Sequence, residues 1–166
     1  MGLLDSLFGN DPSTNWQDQT SQPLCLNLDD SSLNGVAIGN PSSKLSIFGR
    51  PSNNRPFKDL RFTYQILGIE IEIENDLISY FGFPLNRQSN DATGPCEFTL
   101  VFPDGHSCFV DDKTQAQALL DSLSTPFESD VDENEAVYSV SINGNILELE
   151  ASKDGLLKRL NIFPKV

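Results

Sequence analysis

Apolar and polar residues alternate with a period of two from residue 60 onward. Leu60, Phe62, Tyr64 and Ile66 interleave with Arg61, Thr63 and Gln65, and then Ile69, Ile71 and Ile73 interleave with Glu70, Glu72 and Glu74. Such alternation predicts two strands, each with one face buried and one in water. A reversal at Leu67-Gly68 would set Ile66 opposite Ile69, Tyr64 opposite Ile71 and Phe62 opposite Ile73, with Arg61 meeting Glu74 on the other face. A second reversal at Asn75-Asp76 puts Ile78 against Ile73 and Tyr80 against Ile71, which makes a three-stranded meander. The C-terminal third repeats the arrangement. Tyr138, Val140 and Ile142 run to Asn143-Gly144, Leu147 and Leu149 run to Lys153-Asp154-Gly155, and Leu160 and Ile162 follow. Asn-Gly and Asp-Gly are strong hairpin turns, and pairing through them sets Tyr138 opposite Leu149, Val140 opposite Leu147, Leu149 opposite Leu160 and Leu147 opposite Ile162.

Upstream of each meander the period changes. Leu45 leads to Phe48-Gly49-Arg50-Pro51, and residues 114–123 lead to Leu123-Ser124-Thr125-Pro126, so each stretch reads as a helix stopped before a proline. In the second, Ala116, Leu119, Leu120 and Leu123 have the i, i+3, i+4, i+7 spacing of a helix lying on a sheet, with Asp111 or Asp112 as its cap. Candidate strand pairs precede both helices: residues 24–28 with 36–38, and residues 96–102 with 107–110 about Asp104-Gly105. In the second pair Leu100 would face Phe109, and Cys108 would face Val101. The chain therefore reads as an α+β protein of two tandem copies of an antiparallel β-meander with one packed helix each, offset by roughly 75 residues. Its divisions are a short helix and irregular lead-in over 1–23, a first repeat over 24–85, a linker over 86–95 and a second repeat over 96–166.

Residues 35–51, Gly-Val-Ala-Ile-Gly-Asn-Pro-Ser-Ser-Lys-Leu-Ser-Ile-Phe-Gly-Arg-Pro, precede an aromatic strand and Gly68-Ile69-Glu70-Ile71. This run resembles the repeat of the β-lactamase-inhibitor-protein and small outer-membrane lipoprotein superfamily: a glycine, a short helix, a Gly-x-Pro stop and a meander. Members of that superfamily are non-enzymatic and present a concave sheet to partner proteins, in some cases as tandem repeats. The resemblance implies a protein-binding role, with an inhibitor or immunity-type protein as its specific form. The second copy departs from the pattern, having Ser124 in Leu123-Ser124-Thr125-Pro126 where a glycine is expected. No binding residue is carried over from the superfamily.

Charge narrows the partners. With 24 acidic and 11 basic side chains the formal charge is −13, which repels phosphate backbones, so the expected partner is another protein, a basic one, and no nucleic acid. No apolar run approaches the length of a membrane helix, and no membrane span is expected. The first basic residue is Lys44, Gln22-Pro23-Leu24 before Cys25 is not a lipobox, and Cys25, Cys96 and Cys108 form no Cys-x-x-Cys. These features favour a cytoplasmic, bacterial protein with reduced thiols. Met1-Gly2-Leu3-Leu4-Asp5-Ser6 also fits an acylation pattern at Gly2, a third reading in which the protein is anchored to a lipid surface.

Candidate chemistry is sparse. Residues 96–135 hold ten acids and one base, Lys113, and Glu128, Asp130, Asp132, Glu133 and Glu135 cluster in a predicted loop between helix and meander. Alternating oxygens at Asp130, Asp132 and Asn134 suggest calcium, yet the glycine and distal glutamate of such a loop are missing. The loop is read as a docking surface for a basic partner. The row Glu70, Glu72, Glu74 is a second candidate docking face, paired across the strand with Arg61, Thr63 and Gln65. Lys44, Arg50, Arg55, Lys58 and Arg61 gather in the first copy, so head-to-tail self-association has an electrostatic basis. The alternative function is a small-ligand binder or enzyme using a pocket near His106 and Cys108, where an imidazole close to a thiol could lower its pKa. No phosphate loop, zinc motif or nucleophile elbow occurs, and no cofactor or metal is implied. The expectation is a non-enzymatic interaction module.

Overall fold

The computed structural model describes residues 11–85 and 96–165. The first ten residues of the 1–23 segment, including the acylation site Gly2, and the linker 86–95 lie outside them. Among the described residues twelve strands form two sheets. The smaller contains β1 (Cys25–Asn27), β2 (Ser32–Leu33), β3 (Val36–Ala37), β7 (Phe98–Val101) and β8 (Ser107–Val110), in the order β3-β2-β1-β7-β8. The larger contains β4 (Arg61–Tyr64), β5 (Ile69–Glu74), β6 (Leu77–Pro84), β9 (Phe127–Val131), β10 (Glu135–Ile142), β11 (Asn145–Ser152) and β12 (Leu157–Pro164), in the order β4-β5-β6-β12-β11-β10-β9. Among the described residues two short α-helices, α1 (Pro56–Asp59) and α2 (Ala116–Leu123), and two 3-10 helices, Pro12–Asn15 and Ser42–Phe48, complete an α+β fold of two meanders.

Both sheets are built across the two halves of the chain. β1 pairs parallel with β7 through Cys25↔Thr99, Leu26↔Leu100 and Asn27↔Val101. β6 pairs antiparallel with β12 through Phe83↔Leu160, Gly82↔Asn161 and Phe81↔Ile162. Neither pairing can be read from local periodicity, because the partners are far apart in sequence. One core draws on both sheets: Leu26, Phe98 and Leu100 from the smaller, and Ile71, Phe81, Phe83, Leu147, Leu149, Leu160 and Ile162 from the larger. Phe83 and Phe98 join the layers, their ring centroids 4.7 Å apart.

In the second meander every expected pair is present, from Tyr138↔Leu149 to Leu147↔Ile162. In the first the strands are set two residues away from expectation, with Tyr64↔Ile69 and Phe62↔Ile71, because the turn takes four residues and Gly68 N–H returns to the Tyr64 carbonyl at 2.8 Å. An even shift keeps every side chain on its face, so only Ile66 is displaced, and it is exposed. Ile73 does face Ile78, but a bulge between Glu72 and Ile73 pairs Tyr80 with Glu72 rather than with Ile71. The extra residue turns Tyr80 away from the core and onto the polar face.

Three other expectations are corrected. Residues 24–28 do not pair with 36–38, since β2 intervenes between β1 and β3. The first helix is a 3-10 helix, Ser42–Phe48, ended by Gly49 rather than by Pro51 alone. Asp111 does not cap α2; its carboxylate instead accepts from the Lys113 N–H and the Thr114 hydroxyl at 3.0 Å each, and Gln115 stands at the cap. The apolar stripe of α2 lies as expected, with Ala116, Leu119 and Leu120 buried and Leu123 packed against the core. The lead-in is anchored through Trp16, which stacks on Phe62 at 6.2 Å and meets Phe57 edge-on at 5.9 Å.

Candidate partner-binding surface

The acidic stretch expected as a loop is partly a strand. Residues 127–131 pair with β10 through Phe127↔Val140, Ser129↔Tyr138 and Val131↔Ala136, and β9 forms the outer edge of the larger sheet. Phe127 and Val131, β-formers at alternate positions, share a face with Val140 and Ala136 and so extend the apolar side of the sheet beyond its core. All five side chains of β9 are exposed, including Phe127 and Val131 at 43% and 65%. Phe127 meets Tyr138 edge-on at 5.7 Å. The intervening Glu128 and Asp130 lie on the opposite, polar face, beside Ser139 and Val137.

The turn that follows is held by its own carboxylate. Asp132 accepts from the backbone N–H groups of Asn134 at 2.7 Å and Glu135 at 2.9 Å, which keeps its pKa below the usual carboxylate range. Glu133 is exposed, and Glu135 accepts from Lys158 at 2.7 Å in a half-exposed pair worth little to stability. Glu128, Asp130, Asp132 and Glu133 thus form an exposed acidic margin, four of the five acids picked out there by sequence.

The glutamate row behaves differently. Glu70 is only 2% exposed and accepts from both Arg61 at 2.5 Å and Arg159 at 2.6 Å on one carboxylate oxygen. It is a structural anion, not a docking residue, and its place among the candidates is corrected on that ground. Sequence pairing placed arginine on the neighbouring strand, but Arg159 arrives from the other half of the chain through β12. Arg159 also donates to the Tyr80 hydroxyl at 2.9 Å and, through Nε, to Asn161 Oδ1 at 2.9 Å. Tyr80 donates to the same amide oxygen at 2.6 Å, and Asn161 Nδ2 reaches Glu148 at 3.0 Å and Glu150 at 2.8 Å. Burial opposes the Arg159 charge, yet its hydrogen bonds to Glu70 and Tyr80 outweigh that and raise its pKa. Gly82 leaves the space: a Cβ there would stand 2.6 Å from Tyr80 Oη and 2.9 Å from Arg159 Nη2. Glu72 is half-buried and Glu74 exposed at the far end of the sheet.

Around His106 the residues do not converge on a site. His106 stacks on Phe102 at 4.1 Å and contacts the Asp104 carboxylate, a self-contained turn. The hairpin closes with Phe102 N–H to the His106 carbonyl at 2.9 Å, so Leu100 faces Cys108 and Thr99 faces Phe109, one residue from the expected register. That single step sends Phe109 outward, 60% exposed, and packs Cys108 against the core, where burial raises its thiol pKa. Burial pushes the Cys96 thiol up to about 12. Both shifts run opposite to the lowering that activates a thiol nucleophile. A groove of about 400 Å³ lies elsewhere, lined by residues 21–24, Ile66, Leu67, residues 97–99 and Phe109. Among the described residues no group of three or more His, Cys, Asp or Glu side chains converges as a metal site. Of the first copy's cations, Arg61 is committed to Glu70 and Arg50 donates to the Thr14 carbonyl at 2.6 Å.

No family model matches the chain, and no curated protein matches it. Among solved structures it is similar to that of a DUF4309 family protein (YjgB) from Bacillus subtilis subsp. subtilis str. 168, with a TM-score of 0.51 and 11% identity over 82% of this chain and 88% of that one. At that identity the likeness is one of fold alone. No helix among the described residues is long and apolar enough to cross a membrane.

Proposed function

We infer that the chain is a non-enzymatic protein-binding module whose partner is basic and docks at the β9 margin of the larger sheet. The observation that carries this reading is the joint exposure of Glu128 and Asp130 on an edge strand, and of Asp132 and Glu133 in the turn after it, beside Phe127 and Val131 that are also in water. Exposed apolar side chains supply area, and the surrounding carboxylates supply steering and selectivity for a cationic partner. The inhibitor or immunity-type role implied by the superfamily resemblance belongs to the same proposal, as does a cytoplasmic, bacterial setting with Cys25, Cys96 and Cys108 as free thiols.

Parallel affinity captures from the native host test this, using the tagged wild type and a variant carrying Glu128→Lys, Asp130→Lys, Asp132→Lys and Glu133→Lys. The expected result is one basic protein held stoichiometrically by the wild type, released by raised salt, and lost with the variant. Equal retention by both proteins would overturn the reading.

A further inference from the structure

We propose that β9 binds its partner by strand addition, taking an extended segment in which apolar residues alternate with Lys or Arg. This rests on the protein-binding reading above and adds to it the mode of binding and the pattern of the bound segment. The geometry starts at the turn. Asp132 N–H bonds to the Glu135 carbonyl at 3.0 Å, so that pair is a hydrogen-bonded one, and antiparallel pairs alternate. Asp130↔Val137 and Glu128↔Ser139 are therefore hydrogen-bonded pairs, while Phe127, Ser129 and Val131 turn their N–H and C=O groups away from β10. Those groups point to the open side, because β9 is the last strand of its sheet. An extended segment laid there would satisfy them.

Side-chain parity then specifies the segment. Residues beside Phe127, Ser129 and Val131 continue the apolar face and should be apolar; residues beside Glu128 and Asp130 lie on the polar face and should be cationic. A second copy of this chain is disfavoured as the occupant, since antiparallel β9 pairing would place Glu128 and Asp130 against their own like charges. The smaller sheet's edge at β8 lacks this pattern, having Phe109 outward and no carboxylate within the strand.

The probe is a short fluorescent peptide alternating Val and Lys, measured by anisotropy against the full-length protein at low and moderate salt. Controls are a peptide of the same composition with valines and lysines in separate blocks, and an alternating peptide N-methylated on the amides that would face β9. The alternating peptide should bind, weaken as salt rises, and lose at least about tenfold in affinity on N-methylation or in blocked order. Glu128→Lys with Asp130→Lys should abolish it. If N-methylated and blocked peptides bind as well as the alternating one, strand addition is overturned while charge-driven docking stands. If no cationic peptide binds, both fall. Dimerisation of the protein through β9 would overturn the choice of occupant.

Discussion

Arg159→Met is expected to lower folding stability by about 3 kcal/mol, seen as a drop in thermal midpoint of roughly 6–12 °C. The reason lies in Glu70, a carboxylate withdrawn from water at 2% exposure and held between Arg159 and Arg61. Methionine matches the length of the guanidinium stem but removes the charge, so Glu70 keeps its desolvation cost without its better-buried partner. Arg61, with its side chain 46% exposed, retains one bond, which keeps the loss at the lower end of the range for a broken buried pair. Arg61→Met should therefore cost about 1 kcal/mol. Combining Arg159→Met with Glu70→Gln should recover part of the loss, because the stranded group is then neutral. Chemical denaturation of the four proteins checks this; a loss below about 1 kcal/mol for Arg159→Met would mean that the network across the β6–β12 seam is incidental.

Gly49→Ala is expected to be equally damaging, at about 3–5 kcal/mol, for a backbone reason. Gly49 closes the 3-10 helix Ser42–Phe48 at φ 80 and ψ −170, a region open essentially to glycine alone. A Cβ would also lie 2.9 Å from the carbonyl oxygens of Gln17 and Asp18 and the amide nitrogen of Gln19. Those atoms belong to the lead-in, pinned by Arg50 N–H to the Gln17 carbonyl at 2.7 Å and by Gln19 Nε2 to the Arg50 carbonyl at 2.8 Å. Relief of the clash requires the lead-in to lift, and Trp16 would leave Phe57 and Phe62 with it. Gly35→Ala is the control: its φ is 81 but nothing lies within 4 Å of a Cβ, so only the backbone term of about 1–2 kcal/mol remains. Equal losses for the two variants, with Trp16 fluorescence unchanged in both, would show that the close approach of Gly49 to the lead-in carries no energetic weight.

The second meander was legible in the sequence down to its residue pairs because the two-residue Asn143-Gly144 turn fixes one register locally, while the three-residue Lys153-Asp154-Gly155 turn and the bulge at Glu150/Ala151 together return the expected Leu149↔Leu160 pairing. The first was legible in its faces and not in its register, since a four-residue turn and the bulge at Glu72/Ile73 carry no clear local signature. The bulge matters for chemistry, as it delivers Tyr80 to Arg159 and Asn161. Glu70 was recognised as one of a row, but its burial depends on an arginine from the other half of the chain, brought by the long-range pairing of β6 with β12. Such pairings are chosen by the fit of whole faces rather than by any one segment. β9 was missed as a strand because Glu-Ser-Asp within it carries turn-forming composition; the alternate positions of Phe127, Ser129 and Val131 against Glu128 and Asp130 were the available signal. The acidic margin itself was legible, since charge density needs no fold to be counted.

The proposed binding surface is the β9 margin and not the groove lined by Ile66 and Phe109. Amide NMR of the labelled full-length protein, titrated with the alternating Val-Lys peptide, addresses it directly. Shift changes are expected to concentrate in residues 127–135 and the adjoining positions of β10, largest at Ser129 and Val131. Changes concentrated at residues 21–24, Ile66 and Phe109, with β9 unmoved, would move the binding surface to that groove and overturn the proposal.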